Sequence, residues 1–136
     1  MFTKISFRYL QRVLRLAAAL LAIALPLGLL IGGAQPVAVG LVPPPWDKLV
    51  HAAVFAVLAG AIGYASGLRG RRASALAFFG ALTVGVLDEL HQMRLPGRSA
   101  GWDDLAADAF GAALGAVALL WRERLENRLF KNPFGQ

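Results

Sequence analysis

No cysteine occurs in the 136 residues. Disulfide staples and thiolate metal sites are therefore excluded, and cysteine usage says nothing of the redox compartment. Charge is also scarce, at 16% of the chain against about a quarter in an ordinary soluble domain. Acids are scarcer than bases, eight to fourteen, and none precedes Asp47. Residues 16–46 hold no charge of either sign. No HExxH or similar metal-ligand spacing is present, which argues against a dedicated metal centre. What the chain does have is apolar bulk: 57% hydrophobic residues and a positive mean hydropathy, in one domain over residues 1–136. The composition points to a membrane protein. The net charge of +6 does not reverse that reading. Its basic side chains are not interleaved with exposed aromatics, as a nucleic-acid face requires. They fall between apolar runs, where such residues set topology and meet anionic lipid.

About 20 helical residues are needed to cross ~30 Å of hydrocarbon. The first span is expected over residues 10–32, behind a basic flank of Lys4, Arg8, Arg12 and Arg15. Pro26 would kink it, as membrane helices tolerate when neighbours satisfy the freed carbonyl. A basic start, an apolar centre and the small residues Gly32 and Ala34 also resemble a secretion signal. The run is long for one, so retention is expected. Four prolines within residues 35–46 predict an extended loop. The second helix is expected over 48–67, with Asp47 as its N-cap. The third and fourth are expected over 73–93 and 103–121. Their uncharged parts, 73–87 and 109–121, are only 15 and 13 residues long. To span, each must draw polar residues to the membrane edge: Asp88, Glu89, His91 and Gln92 on the third, Asp103 and Asp104 on the fourth. The pairs Gly28/Gly32, Gly63/Gly67 and Gly111/Gly115 have the spacing at which helices approach closely.

Charge gives the topology. The N-terminal flank, the 69–72 loop and the tail carry 11 basic and two acidic residues; the other side carries three basic and six acidic. The positive-inside rule then predicts an all-α, four-helix transmembrane bundle with both termini cytoplasmic. Trp46 and Trp102 fall at the outer interface and Trp121 at the inner one.

Most of the acids gather in residues 88–108, between two apolar runs, where solvation alone does not explain them. Asp88, His91 and Gln92 share one helical side, and Glu89 reaches Gln92 by the i+3 relation. Asp104, Asp108, Gly111 and Gly115 form one stripe, polar above and small below. Asp47 and His51 lie at i and i+4 with Lys48 beside them. Arg94 and Arg98 occupy the loop between the last two helices. Gly97-Arg98-Ser99-Ala100-Gly101 has the letters of a nucleophile elbow, but that device needs a strand before it, so a tight turn is expected instead. The polar set can support acid–base chemistry, bind a lipid head group, or form a buried ion-pair lock between helix ends.

Asp47-Lys48-x-x-His51 opening an apolar helix resembles the start of the VanZ-like family motif. So do Asp88-Glu89-x-x-Gln92, then Gly97-Arg98, then Asp104-x-x-Ala107-Asp108-x-x-Gly111-x-x-x-Gly115. Order, spacing and the four-span layout match over about residues 45–120. One departure is Asp108, where the family more often has Asn. The resemblance implies a small bacterial inner-membrane protein with a cell-envelope role at the outer face, and a link through the founding member to teicoplanin-type glycopeptide resistance. It supplies a setting rather than a reaction. On this reading Lys48 and Arg98 hold an anionic head group, with Asp47, Gln92, Asp104 and Asp108 completing the ligand-binding set. Asp88 or Glu89 serves as acid or base, with His51 or His91 oriented by a carboxylate. The competing expectation is a non-enzymatic accessory subunit whose charged cluster is a structural lock and which carries a protein partner. The sequence names no cofactor.

Overall fold

The computed structural model describes residues 4–98 and 100–131, with side chains for 8–98 and 100–128. The elbow-like Ser99 and the side chains of Lys4 and Lys131 lie outside the described residues. Those described form four helices: α1 Lys4–Gly33, α2 Trp46–Ala65, α3 Gly70–Gln92 and α4 Trp102–Lys131. All four are long and apolar enough to cross a membrane.

The helix ends differ from the sequence expectation for identifiable reasons. α1 begins at Lys4 rather than near residue 10, because residues 4–15 contain no Gly or Pro to stop it. α4 runs to Lys131 rather than 121. Its tail is built from Arg, Glu and Leu, strong helix formers, and Arg122 pairs with Glu126 at 3.2 Å one turn on. α2 stops at Ala65, since Gly67 turns to φ +68. Asp47 is not the N-cap of α2. Pro45 takes that position, and Asp47 sits in the first turn, where one carboxylate oxygen accepts the Lys48 N–H at 2.9 Å. The proline loop is not extended throughout, because Pro36–Ala38 form a 3-10 turn. α3 has no side-chain cap of its own; the Gly70 N–H donates instead to Glu123 of α4 at 2.5 Å.

The core is built from small residues around two large ones. Phe55, Leu58 and Ala59 of α2 meet Ala77 and Ala81 of α3 and Ala112 and Ala116 of α4. Leucines and isoleucines such as Leu20, Ile23, Leu27 and Ile31 of α1 point outward. α2 and α4 make the most extensive contact. A Cβ on Gly111 would strike the Ala52 carbonyl oxygen. One on Gly115 would strike the Ala56 carbonyl oxygen and come within 2.9 Å of Ala59 Cβ. This stripe does what its spacing suggests. Gly63 likewise lies against Leu119 and 3.1 Å from Ala77 Cβ, measured from a Cβ built on it. Gly67 is not part of that helix, and Gly28 and Gly32 have nothing within 4 Å, so these do not pack helices.

Candidate functional site

Successive helices run in opposite directions, so the start of α2, the end of α3 and the start of α4 share one end of the bundle. Every acid except Glu123 and Glu126 is there. Lys48 is the hub. Its ammonium lies 3.0 Å from Asp47 and 2.9 Å from Asp103, and also contacts Asp104. Its charge is thus taken up by three carboxylates rather than left free for an anion. Asp103, outside the expected set, belongs to the group; its position beside Asp104 on the first turn of α4 was the available signal.

One layer deeper, His51 Nδ1 lies 2.8 Å from Asp108 Oδ1. The His51 ring is parallel to Phe55, with centroids 6.4 Å apart. Of the two histidines expected to meet a carboxylate, it is His51 that does. His91 is half-buried, and its Nδ1 has no partner among the described residues. Asp108 is fully buried, and its second oxygen has no hydrogen-bond partner among the described residues. A Cβ on Gly85 would come within 2.9 Å of that oxygen. Gly85 therefore makes room for the carboxylate. Nothing in the sequence marks it out beyond a glycine one turn before Asp88.

On α3, Asp88 accepts a hydrogen bond from Gln92 Nε2 at 2.8 Å. The expected Glu89–Gln92 pairing is not formed. Glu89 turns to the residue that precedes α4, where Oε2 accepts the Gly101 N–H at 2.8 Å, while buried Oε1 has no partner among the described residues. Arg98 makes no ion pair with the acids among the described residues. Its Nη2 donates to the carbonyl of Gly33 at 3.0 Å, satisfying the C-terminus of α1 and tying the α3–α4 loop to it. Arg94 is exposed and makes no ion pair among the described residues.

Beside this cluster a groove of about 460 Å³ separates the end of α3 from the start of α4. Val86, Leu90 and Met93 form one wall, Trp102 and Leu105 the other, and Glu89 is the one ionisable residue lining it among the described residues. Among the described residues, no three His, Asp or Glu side chains converge as a metal ion would require.

A family model described as VanZ/LLP1 matches residues 3–123, which contain the whole cluster and the groove. Neither the curated proteins nor the solved structures contain a match.

Proposed function

Since the chain belongs to the VanZ/LLP1 family, we propose that it is a multi-pass protein of the bacterial inner membrane whose outer end binds a cell-envelope lipid or glycolipid by its head group. The charge asymmetry supports the orientation, with both termini in the cytoplasm and the acids outside. The observation that carries the binding reading is Glu89. A buried carboxylate with one oxygen unpartnered among the described residues, lining an apolar groove, suits an amphiphile with a hydrogen-bond donor above an apolar chain. Lys48 is held by three carboxylates and Glu89 is itself an acceptor, so the group that meets Glu89 is a hydroxyl or ammonium. Among the described residues, the one side-chain hydrogen bond of Arg98 goes to a neutral carbonyl and its Nε has no partner, so its charge stays unpaired. If a reaction follows binding, Glu89 is placed to exchange a proton with that group. Asp88 lies one residue before it, and the His51–Asp108 pair is a second proton-handling unit. A glycopeptide phenotype of the kind associated with the family's founding member would act through this face.

Native mass spectrometry of the protein extracted with its own lipids tests the reading. Wild type should retain one lipid class. Glu89→Gln, which alters the hydrogen bonding, and Leu105→Trp, which fills the groove, should each cut retention by about tenfold. Unchanged retention in both variants would contradict it. A lipid that changes mass in wild type but not in Glu89→Gln would make the protein an enzyme and identify the bond altered.

The contacts of Lys48 favour a second reading. An ammonium shared by carboxylates of α2 and α4 ties two helix ends together, as a structural lock or assembly element would. In that case Lys48→Met lowers the melting temperature in detergent, Glu89→Gln retains the same lipids as wild type, and a protein partner co-purifies.

A further inference from the structure

At the opposite end of the bundle, α1, the α2–α3 turn and α4 enclose a small polar cleft of about 60 Å³, room for one phosphate-sized group or a few waters. Three arginines from three different elements line it: Arg15, Arg69 and Arg122. Its two carboxylates are already engaged. Glu123 accepts the first N–H of α3, and Glu126 pairs with Arg122 at 3.2 Å. Arg122 is further fixed by the Tyr64 ring, its guanidinium carbon 4.5 Å from the centroid. Arg15 and Arg69 make no ion pair among the described residues. Arg15 lies close to the turn because position 67 is glycine: a Cβ there would come within 3.0 Å of the Arg15 guanidinium. The backbone turn, with positive φ at Gly67 and Gly70, and the guanidinium lying on it form one arrangement. Two unpaired guanidinium groups beside a third held in place are suited to the planar, multidentate recognition of a phosphate group.

We propose that this cleft binds the phosphate of an anionic phospholipid in the leaflet opposite the acidic cluster. The lipid is favoured over free phosphate by the setting. The cleft lies where α2 ends and α3 begins, flanked by α1 and α4, and the exposed Arg12, Arg71, Arg72 and Arg124 on these segments add to the basic surface around it. Basic pockets between spans on a cytoplasmic face are well suited to such head groups. This site is separate from the Glu89 groove and does not depend on it.

The test is native mass spectrometry of delipidated protein titrated with phosphatidylglycerol or phosphatidylethanolamine. Phosphatidylglycerol should bind more tightly. Arg15→Gln and Arg69→Gln should each weaken it by about fivefold to tenfold, the double variant should lose the preference, and Arg15→Lys should retain part of it. Arg128→Gln, further along the α4 tail, and Glu89→Gln, at the other end, should bind as wild type. Equal binding of the two lipids would overturn the proposal. So would an unchanged preference in the double variant, or an equal loss in Arg128→Gln, which would mean diffuse attraction. Displacement of phosphatidylglycerol by excess inorganic phosphate would assign the cleft to free phosphate and overturn the lipid source.

Discussion

Asp108 shows how far a single side chain depends on its neighbours. It is fully buried, its sole side-chain hydrogen-bond partner among the described residues is His51, and Gly85 leaves the space its second oxygen occupies. Removing one member of a buried pair leaves the other uncompensated, which typically costs about 3–5 kcal/mol. His51→Leu should therefore destabilise the protein by about that amount in denaturation measured in mild detergent, and adding Asp108→Asn should restore much of the loss. Additive losses would mean the two residues are not coupled. The helical-face arithmetic of the sequence placed Asp104 and Asp108 on one stripe and Asp47 and His51 on another. It did not say which carboxylate meets which base, because that depends on the register between helices. The same gap explains Gln92, which can reach Asp88 at i−4 or Glu89 at i−3 and pairs with Asp88 once Glu89 has turned to the Gly101 N–H. It also explains Lys48 and Arg98. Their charge type is legible, but the carboxylates and the helix-end carbonyl that occupy them are not.

Among the helices, α2 and α4 depend on each other most, through glycines whose hydrogens touch the opposite backbone. A methyl at Gly111 can be accommodated only by moving the two helices apart, and overpacking of this kind costs about 1–3 kcal/mol. Gly111→Ala should lower stability by that order and weaken the Lys48–Asp104 contact above it. Gly28→Ala, in α1 with open space around it, should be neutral or gain up to about 1 kcal/mol from helix propensity. Thermal melts of the two variants side by side check this, and equal effects would contradict it. In sequence the glycine pairs look alike. Only the facing surface distinguishes them: α1 meets the bundle partly through Leu25 and Leu29 and leaves its glycines outside. Helix ends were least legible where the stop signal is tertiary, as at α3, whose first N–H is satisfied by a glutamate 53 residues away.

Over the whole molecule, the sequence reveals a bundle with one acidic and one basic end, since runs of apolar residues and signs of charge are properties of composition. Four helices of spanning length follow from the same pattern. The order of packing, with small residues between helices and large ones facing outward, does not, because Leu and Phe are expected in a core and here many lie outside it. The functional reading depends on which side of the membrane the acidic end faces. The absence of cysteine makes this directly measurable, since a single introduced thiol is the only one present. Met93→Cys, at the rim of the groove, and Asn127→Cys, on the α4 tail, would be treated in intact spheroplasts with a membrane-impermeant maleimide. Labelling of position 93 at once, and of position 127 only after permeabilisation, is the result predicted. The reverse pattern would put the groove and its acids on the cytoplasmic side and contradict an outer-face envelope site.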